Sequence, residues 1–267
     1  MDWVPEDIDL SRPSAARMYD HFLGGSHNFS IDREAAAVAE QAFPGVRLAV
    51  QANRSFLRRA VKYLVDNGIR QFLDLGSGIP TVGNVHEVAQ GKCCGARVVY
   101  VDIDPIAVGH GLRILAGNPD ATSVRADLRD PARVLENREV RALLDLDQPL
   151  AVLMVAALHF VPDAENPWGV VSGYLDRLVP GSYLVLSHGT NEDFSDEENS
   201  GFETVREVYQ RTASPIVVRT EDEVAKFFAG LELVPPGLVR LSDWRPDSAE
   251  QWKSWRCGVA RKPGPIG

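Results

Sequence analysis

The sequence predicts an α/β fold: a doubly wound, mostly parallel sheet with an N-terminal helical cap. Three observations carry this expectation. After Asn67-Gly68, the short apolar runs QFLDLG, RVVYVDID, SVRADL, PLAVLMVAAL and SYLVLSH recur at fairly even intervals. Helical segments alternate with them, as in parallel strands joined by crossover helices. Ahead of Asn67, apolar residues fall three or four apart, as on amphipathic helices. The change of pattern divides the chain into a cap over 1–66 and a sheet domain over 67–267.

In chain order, residues 1–13 read as an extended arm with two prolines. Ser14 to Leu23 suits a short helix that stops at Gly24-Gly25, because glycine readily takes the left-handed conformation of a helix end. Asp32 opens DREAAAVAEQAF, an acidic first turn with an Ala-rich body, ending near Pro44-Gly45. Leu48 to Val65 follows as a longer helix, with Phe56, Leu57, Ala60, Val61 and Leu64 on one face and Arg54, Arg58, Arg59 and Lys62 on others. Five parallel strands come next. Near the C-terminus, Thr220 and Glu223 form a capping box. GLVRL and SWRCGVAR lack a crossover helix between them and are expected to pair antiparallel at the sheet edge. The count is seven strands: five parallel plus a terminal antiparallel hairpin.

Composition narrows the function. With 267 residues, 45 % hydrophobic, the chain suffices for one large packed domain with a cap. The net charge of −9 argues against a nucleic-acid partner, which needs a basic surface. Cys93, Cys94 and Cys257 contain no CxxC pair and read as reduced thiols. No apolar run reaches the ~18 residues of a membrane span. MDWVPEDIDLSRP lacks the basic-then-apolar order of a signal peptide, so a cytoplasmic location is expected. The histidines, at 21, 27, 86, 110, 159 and 188, are scattered, and no metal site is expected. Oligomeric state carries no sequence signal.

In open parallel sheets, ligands bind beyond the carboxyl ends of the strands. The first strand ends in FLDLGSGIPT, where Gly76 and Gly78 permit a sharp turn and close approach to a ligand. Two features favour S-adenosylmethionine over a dinucleotide. Thr81 stands where a third fingerprint glycine would be. Asp74 would repel a pyrophosphate but attract the ammonium of a methionine moiety. Asp102, 24 positions after Gly78 at the end of the second strand, fits an acceptor for ribose hydroxyls. Asp104 competes for that role, although Asp104-Pro105 suits a helix start. At the third strand's end, Asp127 could accept from an adenine amino group while Leu128 packs on the ring.

FLDLGSG, VYVDIDP, RADLRD and LHFVPD together resemble class I S-adenosylmethionine-dependent methyltransferases in order and spacing. PSAARMYDHFLGGSHNFSIDREAA, QANRSFLRRAV, QFLDLGSGIPTVGNVHEVAQ, PGSYLVLSH and WRP are similar to one bacterial group, the S-adenosyl methyltransferase family long catalogued as a domain of unknown function. The resemblance spans nearly the whole chain. It implies a Rossmann-like fold and S-adenosylmethionine as cofactor, and names no acceptor. It implies that Asp74, Gly76, Ser77 and Gly78 meet the methionine part. Asp102 would then hold the ribose, with Ile103, Asp127 and Leu128 around the adenine, and Ala156 and Ala157 would face the sulfonium. The chain departs from the pattern after strand four, where AALHF replaces the Asn-Pro-Pro-Tyr type motif of many amino-methylating members. That disfavours DNA bases and glutamine amides as acceptors.

Methyl transfer is an in-line displacement whose main demands are alignment and exclusion of water. His159, just beyond strand four, is the candidate base if the acceptor must lose a proton; His188 is the second. A small-molecule acceptor is expected, with Trp168, Tyr174, Phe194, Trp244 and Trp252 as candidate pocket walls. The stretch MYDHFLGGSHNF has no preceding strand and no ligand pairs for a metal. Arg17, Tyr19, His21, Asn28, Asn53 and Arg54 suggest instead a lid over the donor that helps define the acceptor pocket. Two other functions compete: a non-catalytic module that binds the methyl donor, and an NAD-dependent oxidoreductase.

Overall fold

A computed structural model describes residues 11–80, 83–247, 252 and 254–264. Most of the expected N-terminal arm, and Thr81 of the glycine turn, lie outside the described residues.

Three helices come first: α1 (Ala15–Phe22), α2 (Ser30–Ala42) and α3 (Val46–Asp66). α1 ends as its glycines require, with Gly24 at φ +79°. Asp32 supplies the capping box of α2, taking the Phe29 N–H at 2.9 Å. The alternating part follows as β1 (Gln71–Leu75), α4 (Val85–Lys92), β2 (Arg97–Asp102), α5 (Pro105–Ile114) and β3 (Ala121–Arg125). It continues through α6 (Pro131–Leu135), α7 (Arg138–Leu143), β4 (Ala151–Val155), α8 (Pro167–Leu175), β5 (Tyr183–His188) and α9 (Asp196–Gln210). The chain closes with α10 (Glu221–Ala225), β6 (Glu232–Leu233), β7 (Val239–Arg240) and β8 (Arg256–Arg261). The expected capping box of Thr220 and Glu223 opens α10.

One sheet runs in the order β3-β2-β1-β4-β5-β8-β6, with β7 also paired to β8. The first five strands are parallel, and β8 is antiparallel to β5, β6 and β7. The expected terminal hairpin exists, with Val239 opposite Cys257 and Arg240 opposite Arg256. Among the described residues the sheet has eight strands rather than seven. The additional one is the two-residue β6, too short to show an alternation in sequence.

Alternation along each strand gives the sheet two buried faces. Leu73, Leu75, Val99, Val101, Val152 and Met154 point to the side covered by α6, α7, α8 and α10. Phe72, Val98, Tyr100, Leu153 and Val185 point to the side of α3 and α4, where Phe56, Ala60, Val61 and Leu64 complete the layer. Each such fully buried large side chain contributes about 1.5–3 kcal/mol. α3 is therefore part of the main core, whereas α1, α2 and α9 form a separate apolar cluster around Met18, Phe22, Phe43 and Tyr209. That cluster sits the cap beside the carboxyl ends of the strands.

Candidate functional site

A cleft with an empty volume of about 1260 Å³, its open mouth included, lies beyond the carboxyl ends of β1, β2, β3 and β4. β4 and β1 are neighbours whose onward connections leave in opposite directions, the place where such sheets open a crevice.

The β1 turn builds its floor. Gly76 sits at φ +68° and Gly78 at +63°. A Cβ on Gly76 would come within 2.8 Å of Ala157 Cβ, so only glycine fits there. A Cβ on Gly78 would meet nothing within 4 Å, because that position faces open space. The Gly76 N–H donates to the Val101 carbonyl at 2.9 Å, locking the turn against β2. Asp102 then accepts from the Gly78 N–H at 2.7 Å and from the Asp104 N–H at 2.8 Å. Burial raises its carboxyl to about 6, with those N–H groups working against the shift. Asp104 caps α5 through the Ile106 N–H and also lines the cleft.

Asp74 lines the same cleft and is 6 % exposed. Burial raises its carboxyl to about 7, Arg54 opposes that shift, and Asp102 adds to it. Arg54, from α3, is 8 % exposed and lies against the Tyr19 ring, 5.9 Å from its centroid. Its Nε has no hydrogen-bond partner among the described residues. An acid and a base thus face one cavity without an ion pair between them.

All nine sequence-predicted donor contacts line this cleft: Asp74, Gly76, Ser77, Gly78, Asp102, Ile103, Asp127, Leu128 and Ala156. Ile103 is 54 % exposed and presents apolar surface at the rim of the cleft. Asp127 holds Arg129 through its backbone N–H at 2.9 Å and its guanidinium down to 2.6 Å. Those hydrogen bonds keep its carboxyl below the ordinary value and use most of its acceptor capacity.

Of the cap residues, Tyr19, Asn53 and Arg54 line the cleft, and Arg17, His21 and Asn28 do not. Arg17 is a buried joint, paired with Asp32 at 2.8 Å and lying 3.6 Å from Asp104. The His21 ring meets the Arg47 guanidinium instead, at 3.2 Å. Asn28 donates to Asp20 at 2.8 Å and to the Gly25 carbonyl at 3.0 Å. Asp20 also takes the His27 N–H at 2.8 Å, so MYDHFLGGSHNF forms a stapled turn around one buried carboxylate.

His159 does not reach the cleft. It is 5 % exposed, packed between Phe160, His188 and Trp255, while Phe160 takes the cleft-lining place beside it. Burial holds its imidazole well below the ordinary value, so it is neutral. His188 is also interior, donating to the Gly189 carbonyl at 2.8 Å and facing Arg219 at 2.7 Å. Trp168, Tyr174, Phe194, Trp244 and Trp252 pack elsewhere; the aromatic cleft walls are Tyr19 and Phe160.

Two parts of the site had no sequence reading. The Ala213-Ser214 turn forms a wall, and Arg12 binds that turn by donating to the Thr212 carbonyl at 3.0 Å. Ser187 joins the cap to the sheet, accepting from the Ala156 N–H and donating to Asn53. A polar residue near the end of the apolar run YLVLSH was the available signal for Ser187. Nothing marked the Ala213-Ser214 turn.

Among the described residues, no helix is long and apolar enough to cross a membrane, and no group of three metal-ligating side chains occurs. A family model described as S-adenosyl methyltransferase matches residues 1–263. A Thermobifida fusca YX protein described as a candidate methyltransferase has 38 % identity over 99 % of this chain and 100 % of its own, with a TM-score of 0.90. A DUF574 family protein from Streptomyces avermitilis MA-4680 has 39 % identity over 95 % and 98 %, with a TM-score of 0.89. The plantazolicin methyltransferase BamL, solved with a triazolic desmethylPZN analog and SAH, is 10 % identical over 92 % and 95 %; its TM-score of 0.51 speaks for the fold alone. No match was found among curated proteins. The fold, the strand-end cleft and the match along almost the whole chain agree: this protein belongs to the S-adenosyl methyltransferase family.

Proposed function

We propose that the chain transfers the methyl group of S-adenosylmethionine to a small-molecule acceptor bound beneath the cap. The observation that carries the reading is the pair Asp74 and Arg54, opposite charges that face one cleft and do not pair with each other. The methionine end of the donor carries an ammonium and a carboxylate, and these two side chains answer both. A dinucleotide pyrophosphate would meet Asp74 as a repulsive neighbour.

The remaining residues suit the rest of the donor. Gly78 leaves room for close approach. Asp102 offers its remaining lone pairs to ribose hydroxyls. Ile103 and Leu128 give apolar surface for adenine. When bound, S-adenosylmethionine supplies an electrophilic methyl carbon on a positively charged sulfur. The protein's own part is alignment and dryness: Ala156, Ala157 and Phe160 wall the methyl side, and the cap closes the opposite side. His159 transfers no proton in this reading, because it is buried and shut away from the cleft. The small-molecule class rests on the net charge of −9 and on the apolar walls formed by Leu57, Phe160, Val161 and Ala213.

Calorimetry tests the donor half. S-Adenosylhomocysteine should bind and NAD should not. Arg54→Gln should weaken S-adenosylhomocysteine roughly tenfold or more, and 5′-methylthioadenosine, which lacks the amino-acid end, hardly at all. Equal losses for both ligands would remove the charge-pair argument. Methyl-labelled donor incubated with fractionated extract tests the acceptor half. Label confined to nucleic acid or protein would sink the small-molecule reading, and donor binding without any transfer would leave a binding module.

A further inference from the structure

The Tyr19 hydroxyl ends a line of hydrogen bonds that begins in the sheet. At the close of β4 the chain bends at Ala156, a non-glycine residue at φ +60°. The Ala156 N–H can only donate, and does so to Ser187 Oγ at 2.9 Å. The Ser187 proton then goes to Asn53 Oδ1 at 2.6 Å. Asn53 is buried, and with its oxygen committed its amide nitrogen turns to Tyr19 Oη at 2.9 Å. Each bond runs from an N–H or O–H donor to the next oxygen, from Ala156 through Ser187 and Asn53 to Tyr19.

Tyr19 therefore accepts a hydrogen bond at its oxygen and must place its own proton elsewhere. Its acceptor within the protein is the Val50 carbonyl at 3.4 Å, a long contact to an oxygen that also serves the α3 ladder. A phenol with so poor an outlet, on a ring that lines the cleft, is a donor held ready for a ligand. Burial raises Tyr19 above its ordinary value, although Arg54 and Asn53 pull the other way, so the phenol stays protonated at neutral pH. It can orient a ligand and cannot deprotonate one.

Resting on the donor reading above, we propose that Tyr19 donates this hydrogen bond to the methyl acceptor, with Asn53 as the positioning residue that sets its direction. The acceptor is then a small, largely apolar molecule that presents an oxygen lone pair (carbonyl, carboxylate or phenolate) beside the methylated atom. Tyr19 orients that molecule and takes no proton from its nucleophile.

Asn53→Asp separates this role from simple packing. A carboxylate at 53 accepts from both Ser187 and Tyr19, so the line survives while the Tyr19 proton turns inward, away from the cleft. The probes are 4-nitrophenol and benzoate, titrated onto protein loaded with S-adenosylhomocysteine, after thermal melting has established that each variant folds. Wild type should bind the probes. Tyr19→Phe and Asn53→Asp should each lose roughly tenfold in probe affinity. Tyr19→Phe should hold S-adenosylhomocysteine within about twofold of wild type. Undiminished probe binding in Asn53→Asp overturns the directional claim, and Tyr19→Phe decides the contact if Asn53→Asp does not fold. A tenfold loss of S-adenosylhomocysteine in Tyr19→Phe would assign Tyr19 to the donor. No probe binding to loaded wild type overturns the oxygen-bearing class. Failure of wild type to bind S-adenosylhomocysteine at all is a different result, and sinks the donor reading itself.

Discussion

The two halves of the cleft are made by different means. The donor half is built from one kind of position repeated, the carboxyl end of a strand and the residues just past it: Asp74 near the end of β1 and Gly76 after it, Asp102 closing β2, Asp127 after β3. Its geometry is set by short backbone bonds such as Gly76 N–H to Val101 O at 2.9 Å. The cap half is assembled from pieces distant in sequence. Tyr19 comes from α1, Asn53 and Arg54 from α3, Phe160 from the loop after β4, and Ser214 from the turn after α9. It is held by side-chain bonds between those pieces. A backbone-built site tolerates little change and resists tuning. A site built from side chains on separate elements can vary without disturbing the sheet.

The largest expected effect is at the backbone half. Gly76→Ala combines a left-handed backbone with a Cβ only 2.8 Å from Ala157 Cβ. Together these should destabilise the fold by about 2–4 kcal/mol and lower S-adenosylhomocysteine affinity at least a hundredfold. Gly78→Ala shares the positive φ but has open space, so it should retain more stability. Denaturant melts and calorimetry on both variants measure the contrast. Equal stability losses would mean that strain alone, without the close approach to Ala157, sets the cost.

An intermediate effect comes from the Asp74 and Arg54 pair, which spans the two halves. Asp74 titrates near 7 in the folded protein and Asp102 near 6, both above the ordinary 3.8. A raised carboxyl stabilises the fold fully below 3.8 and loses that contribution as pH rises through the folded value. Compared with Asp74→Asn, the unliganded wild type should therefore lose more of its melting temperature between pH 5 and pH 8; the buried histidines His110, His159 and His188, held below their ordinary value, push both proteins the other way and cancel in that difference. Ligand binding should run the other way. An ammonium beside Asp74 favours its ionised form, so S-adenosylhomocysteine affinity should rise from about pH 6 to 8 with release of a proton. Asp74→Asn should weaken binding roughly thirtyfold and flatten that profile. Calorimetry in buffers of different ionisation enthalpy counts the proton; a slope that survives Asp74→Asn would assign it to another group.

The same contrast governs what could be read from the residues alone. The donor half was legible because each contact sits at a fixed offset from a strand end, and an apolar run marks that end. Asp102 closes β2 and Asp104 caps α5 through the Ile106 N–H, and both line the cleft. The cap half was only partly legible. Tyr19, Asn53 and Arg54 were singled out as polar groups on helices ahead of the sheet. So were Arg17, His21 and Asn28, which face Asp32, Arg47 and Asp20 instead. Composition cannot tell a helix face turned to a cavity from one turned to a neighbouring helix. His159 illustrates the same limit: a three-residue turn over Leu158–Phe160 decides that Phe160 and not His159 meets the cleft, and no periodicity reports on so short an element.

The smallest expected effect lies where the halves are joined. Ser14 Oγ donates to Asp104 Oδ2 at 2.5 Å, and Asp104 follows the cleft-lining Asp102 by two residues. That bond fixes the start of α1, and so Tyr19 one turn on, to the loop that carries Asp102 and Ile103. Ser14→Ala removes it, yet leaves Asp104 with the Ile106 N–H at 2.8 Å and Arg17 at 3.6 Å. The carboxylate is therefore not orphaned, and the loss should be about 1 kcal/mol, or roughly fivefold in S-adenosylhomocysteine affinity. The change should fall on dissociation more than association, because the bond holds the cap against the donor loop once both are in place. Stopped-flow displacement of S-adenosylhomocysteine reads the two rates separately. A loss confined to association would mean that α1 shapes the entrance to the cleft, and that the donor half holds its ligand without help from the cap.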